Sequence, residues 1–188
     1  MKISPTGYRR LFLFIMFPLH FWTILLFLGD IEWIAERTNI WDAIGVGSYG
    51  LIAALIESVL VFILILLFNI FIPKQWNENK KIALLAVVYL IIVLWAVLAQ
   101  LYAIFGSTHL GILSTFLIST DHPFRWGGVL LVALILLIVI SIYLPVLSFY
   151  RSNNTERIIS GWIDRLEVLS GFYLFMDVFA ILIILIRN

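Results

Sequence analysis

The sequence predicts an all-α, polytopic membrane protein with five transmembrane helices in a bundle and an interfacial amphipathic helix before the last span. Apolar residues make up 63% of the 188-residue chain, and only 12% of its residues are charged. The mean hydropathy is +1.12. A soluble domain is about 45–50% apolar and about 25% charged. The surface of a compact soluble domain could not carry this many apolar side chains, so lipid is the expected solvent.

Five apolar stretches are long enough to cross a membrane, for which a helix needs about 20 apolar residues. These stretches cover residues 11–28, 50–72, 82–105, 129–149 and 168–186. The fifth is interrupted by Asp177. No change of composition divides the chain, so we expect a single transmembrane domain over residues 1–188.

The distribution of arginine and lysine supports five spans and predicts their orientation. Nine of the twelve basic residues lie in the N-terminal tail and in the second and fourth connections, whereas three lie in the first and third connections and the C-terminal tail. Basic residues are enriched in cytoplasmic loops. We therefore expect the N-terminus in the cytoplasm and the C-terminus outside. Four or six spans would break this alternation.

The first connection, residues 29–49, is acidic and aromatic. Its charged and tryptophan residues are Asp30, Glu32, Glu36, Asp42, Arg37, Trp33 and Trp41. Tryptophan with scattered acids suits the headgroup region of a bilayer, so we interpret this segment as an interfacial anchor. A site for an external cation is the alternative, because hard cations bind clustered carboxylates.

The later connections are predicted from their length and periodicity. Residues 73–81 form a short connection, so the second and third spans are expected to be antiparallel neighbours. The connection over residues 106–128 has an apolar middle that is too short to cross, which predicts a half-helix that lies on the outer surface or dips into the membrane. From Ile158 to Leu169, apolar residues recur at helical spacing. This periodicity predicts the amphipathic interfacial helix that leads into the fifth span.

One histidine and two carboxylates, with a glutamine as their neutral companion, fall at membrane depth, one on each of four spans: His20, Glu57, Asp177 and Gln100. A rise of about 1.5 Å per residue places them about 8–14 Å from the outer ends of their spans. An ionisable group at this depth costs about 2.5–3.5 kcal/mol on insertion scales, and such groups usually face the protein interior. We therefore predict a buried polar cluster in the outer half of the membrane.

Small residues on the second span predict which of its faces packs against other helices. Four of them recur at spacings of three and four along one edge: Gly47, Gly50, Ala54 and Ser58. Small residues mark close approach between membrane helices. Because Glu57 shares this edge, we expect its carboxylate to point into the bundle.

The sequence indicates no catalytic residue, no cofactor and no metal ligand set. The chain has no cysteine, which excludes disulfides and thiolate metal sites. A net charge of +1 gives no basic surface for nucleic acid. Residues 45–50 match the dinucleotide-binding string GxGxxG, but that motif requires a preceding strand and a βαβ unit. Only His20 lies within a predicted span, so a haem held by two histidines is not indicated.

These observations favour a small multi-pass membrane protein of structural or accessory type over an enzyme. Its expected partners are the lipid bilayer and other membrane subunits. The alternative is transport, or binding of an ion or small ligand, through the predicted polar cluster. A weaker alternative is a membrane-embedded enzyme that modifies lipid, with the carboxylates as acid–base groups. The polar cluster could also serve only to hold the helices in register.

Overall fold

The computed structural model describes residues 3–151 and 154–187, and this part of the chain is helical with short turns and no strand. Its elements are α1 (Pro5–Gly29), α2 (Ile31–Arg37), α3 (Ile40–Phe68), a 3-10 turn (Asn69–Phe71), α4 (Glu78–Ile118), α5 (Pro123–Arg151) and α6 (Asn154–Arg187). Among the described residues, all of these helices except α2 contain a segment long and apolar enough to cross a membrane. The predicted all-α architecture with five spans is confirmed.

Local sequence signals explain where the first and third helices begin. The Ser4 hydroxyl oxygen accepts a hydrogen bond from the Gly7 amide at 3.1 Å, and Pro5 occupies the first position of α1. The Asn39 side-chain oxygen accepts from the Asp42 amide at 2.9 Å. Both arrangements satisfy amide donors that lack a partner inside the helix.

The chain forms two compact units, the first of which contains residues 1–86 and 153–188. Within it, α1, α3 and α6 each pack against the other two. Aromatic contact joins α1 to α3, since the rings of Phe12 and Phe62 meet edge to face at 5.4 Å. Large side chains complete the core of this unit: Leu11, Phe14, Ile15, Met16, Ile65, Ile82, Leu85 and Ile163 are all fully buried.

The second unit covers residues 87–152 and contains most of α4 together with α5. Trp95 on α4 donates its indole N–H to the hydroxyl oxygen of Ser141 on α5 at 3.0 Å. Every residue of α5 from 123 to 148 is exposed or half-buried. Apolar side chains dominate this helix, so lipid is the solvent that suits it.

Two helices are longer than their predicted spans. The segment predicted as a surface half-helix continues α4 as far as Ile118, so it is not a separate element. The predicted interfacial helix likewise forms the first turns of α6, with no break before the fifth span. No proline interrupts either helix, and isolated glycines cost only about 1 kcal/mol each in a helix interior. At about 1.5 Å per residue, α6 is about 51 Å long and therefore exceeds the hydrocarbon core.

Polar contacts hold the first unit together at both ends of its helices. At the end where α1 and α6 begin, Arg9 pairs with Glu167 at 2.8 Å, and Arg10 pairs with Asp164. At the opposite end, Arg187 closes α6 onto the first turn of α3. Its guanidinium donates to the carbonyl oxygens of Trp41 and Asp42 at 3.1 and 3.3 Å and pairs with the Asp42 carboxylate.

Gly45 makes the contact between Arg187 and α3 possible. Gly45 is buried, and a Cβ atom on it would overlap the Arg187 guanidinium. We therefore expect Gly45→Ala to displace the guanidinium and weaken the contact with Asp42, lowering the free energy of unfolding by about 1 kcal/mol. Thermal unfolding in a mild detergent measures this change.

Gly171→Ala is the matched control for this substitution. Gly171 also lies inside a helix, but a Cβ there has nothing within 4 Å. Since alanine is the better helix former by about 1 kcal/mol, Gly171→Ala should maintain or raise the unfolding temperature. Equal effects of the two substitutions would show that the Arg187 contact contributes nothing.

Candidate functional site

A buried polar contact joins His20 on α1 to Asp177 on α6. Their exposed fractions are 0% and 1%. The His20 Nε2 atom lies 3.1 Å from each carboxylate oxygen of Asp177. The other ring nitrogen, Nδ1, lies 3.0 Å from the carbonyl oxygen of Met16 on the preceding turn. Both ring nitrogens of the histidine therefore face oxygen atoms.

Oxygen partners on both nitrogens limit how protons can be arranged in this pair. A neutral imidazole carries one N–H donor and one acceptor nitrogen. Two arrangements satisfy both contacts of His20: an imidazolium against a carboxylate, or a neutral ring whose Nε2 accepts from a protonated Asp177. Either arrangement leaves the pair neutral overall. Neutrality matters because an uncompensated charge is very costly to bury.

Aromatic rings cover the pair. The ring of Tyr173 stacks on that of His20, with centroids 5.4 Å apart and planes inclined by 17°. Phe17 in turn lies 5.9 Å from Tyr173. Tyr173 precedes Asp177 by one turn of α6, so a single helix supplies both the carboxylate and the cover. The Tyr173 ring thus covers one face of the buried imidazole.

The structure brings together two of the four residues predicted to form a cluster. Glu57 does not join His20 and Asp177: its side chain is exposed, whereas the next residue, Ser58, is fully buried. Successive residues differ by about 100° around a helix. Ser58 therefore lies on the buried face of α3, whereas Glu57 lies just outside it. Gln100 is exposed on the part of α4 that belongs to the other compact unit.

The small residues of α3 lie where neighbouring helices approach it. Ala54 and Ser58 are buried, and the Ser58 hydroxyl donates to the Ala54 carbonyl oxygen at 2.7 Å. A Cβ on Gly47 would lie 3.3 Å from the Phe27 ring, and one on Gly50 would lie 3.4 Å from the Thr23 methyl group. Both glycines thus let α1 approach α3 closely.

An apolar cleft opens in the first unit beside this contact between α1 and α3. Its volume is about 890 Å³, and α1, α2, α3 and α6 all contribute to its walls. Its aromatic lining consists of Phe27, Phe172, Phe175 and Phe179. The polar side chains in the lining are Thr23, Asp30 and Ser48, and the Ser48 hydroxyl is satisfied by the Ile44 carbonyl oxygen at 2.8 Å.

The cleft reaches the level of the buried pair on α6, because Met176, the residue before Asp177, is in its lining. Thr23 and Ala180 line it, and each is three residues along its helix from His20 or Asp177. Sequence reasoning missed the cleft because its walls come from four separate helices. The only available signal was the small-residue edge of α3, whose Gly47 and Gly50 are part of the lining.

A second cavity, of about 850 Å³, lies where α4 and α6 begin. Most of its lining residues are of polar type, and they carry charges of both signs, from Lys80, Arg157, Glu156 and Asp164. Asp164 is already paired with Arg10. This mixture of charges suits a solvated surface, and it gives the cavity no clear preference for one kind of ligand.

We expect separate removal of His20 or Asp177 to destabilise the protein strongly. Interhelical hydrogen bonds in membranes contribute about 0.6–1.7 kcal/mol, whereas breaking a buried ion pair costs about 3–5 kcal/mol in soluble proteins. An effect of about 2–3 kcal/mol is therefore expected for His20→Leu or Asp177→Leu. The decrease in the free energy of unfolding of the double variant should be smaller than the sum of the two single decreases, because the double variant leaves no unpaired polar group.

Unfolding in mixed detergent micelles measures these free energies. Glu57→Gln is the control, because it changes a carboxylate on the exposed face of α3. Position 57 faces the micelle both before and after unfolding, so the change should alter the free energy of unfolding by less than about 0.5 kcal/mol. Strict additivity of the His20 and Asp177 substitutions would contradict a direct interaction between the two side chains.

No family model, curated protein or solved structure matches this chain.

Proposed function

We propose that this chain is a non-enzymatic, accessory membrane protein that binds a lipid-like apolar molecule in the cleft. The size and lining of the cleft carry this proposal. Ligand sites have volumes of about 300–1,000 Å³ and are mostly apolar with a few polar groups. The cleft, at about 890 Å³ with three polar side chains in its lining, falls within both criteria.

The walls of the cleft suit a hydrocarbon or aromatic body. An apolar molecule that moves from the bilayer into the cleft gains little from the hydrophobic effect, because lipid tails are as apolar as the walls. Its affinity must come from close van der Waals contact and from any polar group that it carries. The four phenylalanine rings supply a large surface for van der Waals contact.

The arrangement around His20 supports a binding role over a catalytic one. Both of its ring nitrogens already contact oxygen atoms, of Met16 and Asp177. A general base needs a nitrogen within hydrogen-bond reach of the group that it deprotonates. The pair instead holds α1 and α6 in register next to the cleft.

We also propose that the N-terminus is cytoplasmic and the C-terminus is outside, on the distribution of basic residues. In this orientation the cleft lies in the outer half of the membrane. A partner membrane subunit is proposed to cover Glu57, since an exposed carboxylate on an apolar span would be costly in contact with lipid.

Filling the cleft should abolish ligand binding. We expect the protein, purified in a mild detergent, to retain a lipid-like molecule in equimolar amount, detectable by native mass spectrometry. Ala43→Phe places a ring in the lining and should remove the bound molecule. Ala53→Phe, at an exposed position of the same helix outside the lining, is the matched control and should retain it. Equal retention by both variants would refute the proposal.

The buried pair favours proton movement as a second candidate function. In membrane proteins, intramembrane carboxylates and histidines mark proton relays as well as structural contacts. This candidate predicts that proteoliposomes dissipate an imposed pH gradient and that Asp177→Asn stops this while the helices remain assembled. A pH-sensitive dye inside the vesicles reports the result. Equal leakage with wild type and variant would leave the pair with a structural role.

A further inference from the structure

Asp30 places an unpaired carboxylate in the lining of the apolar cleft. The residue lies between α1 and α2, where its amide donates to the Leu26 carbonyl oxygen and its own carbonyl oxygen accepts from the Ile34 amide, both at 3.0 Å. Its side chain does not cap α2. Among the described residues, the Asp30 carboxylate has no hydrogen-bond or ion-pair partner. The Asp30 side chain is exposed, so its carboxylate lies at the edge of the cleft, where it can meet both solvent and a ligand.

The basic residues of the segments that wall the cleft are engaged elsewhere. These segments, 23–51 and 172–187, contain two of them. Arg37 lies over the ring of Trp33 at 4.5 Å and donates to the Trp33 carbonyl oxygen at 3.5 Å. Arg187 is held by Trp41 and Asp42. Neither cation neutralises Asp30.

Further carboxylates make this end of the unit negative. Glu32 and Glu36 lie on exposed positions of α2, outside the lining of the cleft, and no ion pair within the described chain includes either. Potentials of one sign attract ligands of the opposite sign. Against the three carboxylates Asp30, Glu32 and Glu36 stands the single positive charge of Arg37, so residues 30–37 have a net charge of −2 and attract a cation more than an anionic headgroup.

The chemistry of the cleft favours an organic cation over a metal ion. No group of three His, Asp or Glu side chains in the described part of the chain could hold a metal ion. A hard metal ion also requires several oxygen ligands, but the lining is mostly apolar. Phenylalanine rings, in contrast, attract quaternary ammonium and related cations through their π faces.

We propose that the cleft selects a lipophilic cation, whose apolar body lies among the phenylalanine rings and whose positive charge lies at Asp30. This inference rests on the proposed function, since it requires that the cleft bind a ligand. The contact between Asp30 and a positive charge would also supply the selectivity that an apolar cleft lacks in a bilayer. Phospholipid tails are in vast excess there, and contact with apolar walls barely distinguishes them from another hydrocarbon.

Two ions of matched shape and opposite charge test the proposal. Tetraphenylphosphonium and tetraphenylborate are both apolar and tetrahedral, so a difference in their affinities reports charge. Pyrene serves as a neutral probe for occupancy of the cleft. We expect the full chain in an uncharged detergent to bind the phosphonium at least tenfold more tightly than the borate. Isothermal titration calorimetry measures the two ions, and quenching of tryptophan fluorescence measures pyrene.

Substitution of Asp30 should separate the contribution of its charge to ligand binding from the contribution of the cavity. We expect Asp30→Asn to weaken phosphonium binding about tenfold, which corresponds to about 1.4 kcal/mol, and to leave pyrene binding unchanged. Glu32→Gln removes a nearby carboxylate outside the lining and should change phosphonium binding less than about twofold. An unchanged unfolding temperature of both variants confirms that their folds are intact.

The outcomes distinguish the two proposals. Equal affinity for the two ions, or no effect of Asp30→Asn, would overturn the cation inference while pyrene binding upheld the cleft as a ligand site. Equal losses of phosphonium affinity in Asp30→Asn and Glu32→Gln would also overturn the cation inference, because they would indicate attraction by the overall surface charge and not by a specific contact with Asp30. If no probe bound, or if Ala43→Phe left all binding unchanged, the proposed function itself would fail.

Discussion

The contact between His20 and Asp177 constrains the arrangement of the first unit more than any other interaction. Both residues are withdrawn from solvent, so each needs the other to avoid a buried unpaired group. The distance of 3.1 Å between Nε2 and the carboxylate is reached at one register of α1 against α6. A shift of one residue along either helix would rotate a partner by about 100° and break the contact.

This register also positions part of the cleft. Thr23 and Ala180 follow the pair by three residues on α1 and α6, so the register of the two helices fixes where these two lining residues lie. Arg187 then closes the far end of α6 onto α3, and Gly45 leaves room for its guanidinium. At the other end, Arg9 and Arg10 join α1 to α6 through ion pairs. Such exposed pairs contribute little individually, so the buried contact has the larger influence on geometry.

A ligand site inside a membrane faces a problem of selectivity that a water-exposed site does not. Because the surrounding lipid competes with any apolar ligand on nearly equal terms, apolar walls determine which shapes fit but scarcely which molecule binds. Polar groups at the edge of the site must make that distinction. Asp30, unpaired and in contact with the cavity, is the group in the lining that is placed to do so.

The sequence by itself determined the class and helical content of this protein. Composition alone requires lipid as solvent, and runs of about 20 apolar residues predict five spans, because a helix must satisfy its own backbone inside a membrane. Apolar periodicity did not predict where the helices end: α4 and α6 run on through segments expected to be separate elements. Nothing in those segments breaks a helix, and the membrane boundary alone does not end one.

Only the tertiary structure decided which polar residues meet. Depth along the spans grouped His20, Glu57, Gln100 and Asp177 into one predicted cluster, but depth does not determine which of these side chains touch. Rotation of α3 by its packing against α1 and α6 buries Ser58 and leaves Glu57 exposed. The apolar cleft could not be predicted from the sequence either, because four helices form its walls and no single segment specifies their relative positions. Depth along a helix follows from sequence, but the direction in which a side chain points follows from packing.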